Sequence, residues 1–175
     1  SNLLRELANL CEDTLADASG AAQAYQQLLD ETPGDGALLK KLLRLYEQSQ
    51  NLAGLVQVLG QMLTNAKQAG LSEVTALALR LAQLKVDASL DDAGALALLR
   101  EVLATESGNA QAVAALARLA SSPGPVQSVA AQLATGALER LGDHALVVQI
   151  LEAQLPGRSG ARERAAILHQ IADLQ

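Results

Sequence analysis

The chain has 175 residues and a net charge of −6, and 36 Leu with 34 Ala supply two fifths of it, against ten Val, two Tyr and no Phe or Trp. Ala and Leu head the helix scale while strands favour β-branched and aromatic side chains, so sheet-based folds are excluded. The acidic balance argues against a nucleic-acid or anionic-membrane surface, and the scarcity of rings argues against base-stacking platforms and aromatic-lined pockets.

Apolar residues recur at three- and four-residue spacing between breakers, which predicts amphipathic helices over 2–14, 18–31, 36–49, 52–68, 73–87, 92–106, 110–121, 125–141, 144–155 and 161–174. Asp35 follows Pro33-Gly34 and is placed to cap the third helix; Asn51, Asp91, Asn109 and Asp143 stand in the same relation to later helices. Pro125 suits a first helical turn, where its missing N–H would be unpaired anyway. No apolar run approaches a membrane span and no leader opens the chain; the compartment is left unassigned, with a cytoplasmic one favoured. The single cysteine, Cys11, makes no internal disulfide. An opening Ser1 and a stop at Gln175 within a helical pattern suggest a segment of a longer protein.

The sequence repeats. A shift of 74 residues aligns 7–47 with 81–121, with 12 identities in 41 positions, among them Asp13/Asp87, Gly20/Gly94, Gly34/Gly108, Leu42/Leu116 and Arg44/Arg118. A shift of 92 matches the stretch from Glu47 to Leu59 with that from Glu139 to Leu151, and Leu7-Ala8-Asn9-Leu10 returns as Leu81-Ala82-Gln83-Leu84 and Ile171-Ala172-Asp173-Leu174. The organisation expected is a single solenoid of two blocks, about 2–75 and 76–160, the second with an inserted helix near 125–141. A third block starts at 161–175. Helices joined by two to five residues run antiparallel, and each pair leaves an apolar face that the next pair buries. The fold expected is all-α, an αα-superhelix of about ten helices, with a closed four-helix bundle as the alternative.

Ala21, Tyr25, Leu28 and Pro33, then Leu39, Leu42 and Tyr46, sit at the spacing of the tetratricopeptide repeat (TPR), which this chain resembles. The block at 76–109 keeps Leu79, Ala82, Ala95 and Leu99 but has Ser107 for Pro, so the likeness is to the long degenerate TPR arrays of bacteria. The resemblance implies a right-handed solenoid whose first helices line a concave surface. Its exposed positions carry over to Leu3, Glu6, Leu10 and Asp13, to Ala37, Lys40, Arg44 and Glu47, to Leu77, Arg80, Leu84 and Asp87, and to Gln111 and Arg118.

Catalytic signals are scarce. His144 and His169 stand 25 residues apart with no Cys or carboxylate at metal spacing. Cys11 has no nearby His to activate it and reads as a core thiol. The acidic pairs Glu12-Asp13 and Asp91-Asp92 fall at helix ends, where a cap is the simpler explanation. Gly34-Asp35-Gly36 lacks the third glycine and the strand of a dinucleotide site. The expectation is a non-enzymatic protein with no metal and no cofactor.

The few cations are the informative feature. Lys40, Lys41, Arg44, Arg80 and Arg118 are the candidate partner-binding residues, a basic stripe in an acidic molecule, against the plainer alternative of solvated helix positions that pair locally. Glu6 and Leu10 stand where the TPR carboxylate clamp has its cations, so that clamp is not reproduced. The function expected is a protein–protein interaction scaffold that binds a peptide or partner domain, acidic by preference, on the concave face. The alternatives are a carrier holding an apolar ligand in its interior, with 125–141 as cover, and a self-assembling segment. For the last, Ile167, Leu168, Ile171 and Leu174 form the exposed end face.

Overall fold

The computed structural model describes residues 2–13, 18–157 and 160–174; of Asn2, Asn9, Glu12, Asp13 and Gly157 it describes the backbone alone. The described residues are all-α, with ten α-helices: α1 (Asn2–Asp13), α2 (Ala18–Glu31), α3 (Gly36–Gln48), α4 (Leu52–Ala69), α5 (Val74–Asp87), α6 (Asp92–Thr105), α7 (Ala110–Ser121), α8 (Gln127–Leu141), α9 (His144–Gln154) and α10 (Ala161–Asp173). Each lies within two residues of its predicted range. Two compact units divide the chain, residues 1–77 and 78–175.

The caps explain the boundaries. Asp35 accepts from the N–H groups of Ala37 and Leu38, and Asn51, Asp91, Asn109 and Asp143 each accept from the residue three positions on. These bonds satisfy backbone donors that a first helical turn leaves open. At Asp91 the Lys85 ammonium, 2.6 Å away, adds to the Gly94 N–H and holds the carboxyl below its ordinary range. Its contribution to stability is therefore present above the usual carboxylate pKa and is lost on acidification. The helices α4 and α8 stop at Gly70 and Gly142, both left-handed, a conformation that costs glycine nothing. Pro125 departs from expectation: α8 starts at Gln127, and Pro125 occupies the corner of a turn closed by the Gln127 N–H on the Gly124 carbonyl. Its fixed φ serves a turn as well as it would serve a helix start.

In the first unit, α1 packs on α2, α2 on α3 and α3 on α4. Their core holds Ala8, Cys11, Ala21, Tyr25, Leu28, Leu29, Leu39, Leu42 and Leu45. Tyr25 is buried, its hydroxyl accepting from the Lys41 ammonium at 2.7 Å, and that ammonium stands 4.7 Å from the ring centroid. Tyr46, half-buried and with its hydroxyl pushed up in pKa by burial, lies flat against α4 at Gly54. A Cβ there would sit 2.6 Å from the ring carbon Cδ2. The Gln61 amide donates to the Pro33 carbonyl and ties α4 to the α2–α3 turn.

In the second unit, α6 packs on α7, and α7, α8 and α9 contact one another, with α10 on α9. The 74-residue shift is visible in three dimensions: it carries α2 onto α6 and the start of α3 onto that of α7. Buried residues also correspond, Ala21 with Ala95, Tyr25 with Leu99, Leu42 with Leu116 and Leu45 with Leu119. Helix α8 buries four alanines, Ala130, Ala131, Ala134 and Ala137, with Leu138 beside them, and a closely packed interior leaves little room for a larger side chain at the alanine positions. Ala134→Leu is accordingly expected to cost about 1–3 kcal/mol by overpacking, whereas Ala145→Leu on the exposed side of α9 is expected to be neutral. Urea melts of the two variants would distinguish them.

The predicted end face of α10 needs correction. Ile171 is buried and Ile167 and Leu174 are half-buried; of the four, only Leu168 is exposed. Thr135, Val147 and Leu151 of α8 and α9 line a groove with Leu174, and Ala131, Leu151 and Gln154 one with Ile167, so that face turns toward α8 and α9 rather than standing open as a whole.

Candidate interaction grooves

Most of the predicted first-helix positions are exposed, Leu3 and Leu10 among them. Glu6, Ala37, Lys40, Arg44, Glu47, Arg80, Asp87, Gln111 and Arg118 are exposed, but Leu77 is buried and Leu84 half-buried. The two exceptions are leucines of α5, apolar side chains that gain by leaving water. Asp13 and the Glu12-Asp13 pair lie outside the described side chains.

Three of the first-helix positions, Ala37, Lys40 and Leu77, line one groove of about 440 Å³ in the first unit. Its floor is Leu39 and Ala66, Met62 and Ala69 form the α4 wall, and Leu71 stands half-exposed at the rim after the α4 cap. Lys40 and Glu73 supply opposite charges, and Asn65 an amide. Lys40 has no ion-pair partner among the described residues. The groove opens to solvent and offers a docking surface. Met62, Asn65 and Leu71 carry no signal that sequence reading picked out; an apolar residue just beyond the helix-ending Gly70 is the one mark Leu71 leaves.

A second groove, of about 490 Å³, lies in the second unit between α5, α7 and α9. Its walls include Val86, Ala117 and Ile150, with Ser121, Ser122 and Gln149 as polar groups. Across it, the Arg118 guanidinium pairs with the Asp87 carboxylate, both about half exposed. Both residues belong to the 74-residue repeat as Asp13/Asp87 and Arg44/Arg118.

The basic stripe thus resolves into separate roles. Lys41 serves Tyr25 and Arg118 is neutralised by Asp87. Arg44 and Arg80 are exposed and each has a partner interaction. Lys40 is the member that lines the first-unit groove, on which Glu73 also stands, without an ion pair among the described residues. His144 and His169 are exposed, the latter 3.9 Å from Asp173, and Cys11 is buried in the core. Among the described residues, no three His, Cys, Asp or Glu side chains gather as metal ligands, and no helix is long and apolar enough to cross a membrane. Compared with protein-family models, with curated proteins and with solved structures, the chain matches none.

Proposed function

We propose that this chain is a TPR-like protein-interaction module with no chemistry of its own, which docks a segment of a partner protein on its first-helix face. The observation that carries it is the first-unit groove: an apolar floor and wall, open to water, with the Lys40 ammonium, which has no ion pair among the described residues, at its edge. Such a site takes an apolar side chain as anchor and an acidic residue beside it, since the ammonium gains most from a carboxylate that the groove partly desolvates. Arrays of short peptides pairing Leu, Ile or Met with Asp or Glu provide the probe. Lys40→Glu and Leu71→Glu both alter exposed side chains, and each is expected to weaken binding of the preferred peptides at least about tenfold while helicity stays unchanged. Equal binding to peptides with Lys in place of the acidic residues would sink the assignment.

A further inference from the structure

Gly34-Asp35-Gly36 leads into α3, and nothing in the fold requires glycine on either side of the aspartate. Neither glycine has a left-handed φ, and a Cβ at either would meet no atom within 4 Å. Asp35 is accounted for as the cap of α3. Both glycines nonetheless line the first-unit groove. Bare backbone in the wall of a groove lets another main chain come close.

Three polar side chains share that groove: Lys40 on α3, Asn65 on α4 and Glu73 just before α5. None of them makes a side-chain hydrogen bond or an ion pair among the described residues. Lys40 and Glu73 are exposed and Asn65 is half-buried. A cation on one wall and an anion on another give the groove two poles about its apolar floor, Leu39 and Ala66. The Asn65 amide both donates and accepts, so it matches the C=O and N–H of a peptide unit.

From this arrangement we infer that the groove takes a bipolar extended segment of a partner protein. One apolar side chain sits on the floor, an acidic residue meets Lys40 and a basic residue meets Glu73. The main chain passes over Gly34 and Gly36, bonded by the Asn65 amide. This rests on the docking reading above and adds to it the second charge and a use for the two glycines. A wholly apolar occupant would take Lys40, Asn65 and Glu73 out of water without giving them partners, which is costly. A segment acidic on both sides would bring like charge to Glu73, which works against binding.

The probes are short peptides with one central Leu, flanked by an acid and a base, by two acids, by two bases or by neither, in both chain orders. Fluorescence anisotropy with the full chain reads their affinities. The acid–base series is expected to bind tightest, about threefold to tenfold better than the two-acid series, the scale of an exposed ion pair gained and a repulsion removed. Glu73→Lys is expected to turn that preference toward the two-acid series. Gly34→Leu/Gly36→Leu is expected to weaken every series at least about tenfold with helicity unchanged, since both side chains have room in the free protein. Equal binding of the acid–base and two-acid series would overturn the inference, as would a preference that survives Glu73→Lys or undiminished binding by the double-leucine variant. Any of these, with Lys40→Glu and Leu71→Glu still weakening the acidic peptides, would leave the docking proposal standing. Binding of no series at all would overturn both.

Discussion

Tyr25→Ala is expected to lower the stability of the first unit by about 3–5 kcal/mol, the range for truncating a buried aromatic side chain. The ring is 1% exposed and sits among Ala8, Ala21, Leu28, Leu29 and Leu42, small and aliphatic neighbours that cannot rotate into the space it leaves. The loss includes the seat of the Lys41 ammonium, which bonds to the hydroxyl and lies over the ring face. Tyr25→Phe separates the two parts: it keeps the volume and the ring and removes only the acceptor, at about 0.5–1.5 kcal/mol. Equilibrium unfolding in urea followed by circular dichroism measures both. If the alanine variant lost no more than the phenylalanine one, packing around the ring would not be what holds α2 to α3.

The second large effect is a matched pair. Leu42 and Leu116 align at the 74-residue shift, are both fully buried, and lie at the same step of α3 and α7. Leu42→Ala and Leu116→Ala are each expected to cost about 2–5 kcal/mol, from the lost transfer energy and the cavity left behind. The repeat adds a sharper demand: the two costs should agree within about 1 kcal/mol, although cavity collapse differs from site to site. Thermal unfolding resolves this, since about 1 kcal/mol moves the midpoint by about 2–4 °C in a chain of this size. Costs differing by several kcal/mol would mean that the two blocks share a sequence pattern without sharing a core.

Much of the fold was legible because its determinants are local. A capping side chain bonds two or three residues ahead, and a glycine ends a helix where it stands, so Asp35, Asn51, Asp91, Asn109 and Asp143 announced the boundaries. Pro125 misled because one fixed φ suits two local structures, and only the turn bond from Gln127 to Gly124 chooses between them. The site was legible in its exposure and not in its pairing. Lys41 meets Tyr25 across 16 residues and Arg118 meets Asp87 across 31, separations at which helix periodicity has nothing to say. One long-range signal was present: an acidic and a basic position recurring together at a single shift, Asp13 with Arg44 and Asp87 with Arg118. The leucines of α5 were misplaced because position in a repeat fixes which way a residue points, while its neighbours decide whether water is there.

The flat contact between Tyr46 and Gly54 has a consequence for how such a chain changes over time. Tyr46 corresponds to Ala120 at the 74-residue shift, and Gly54 to Leu146 at the 92-residue shift that governs the stretch from Glu47 to Leu59. The ring has gone, and with it the need for a bare backbone. A large residue facing none has its counterparts in a small residue and a large one, an exchange of volume between two helices. Either substitution alone meets a penalty, since Gly54→Ala drives a methyl into the ring and Tyr46→Ala opens a void. Drift between copies is thus coupled, position to position, and a record that scores each residue by itself counts two departures where the packing has made a single trade.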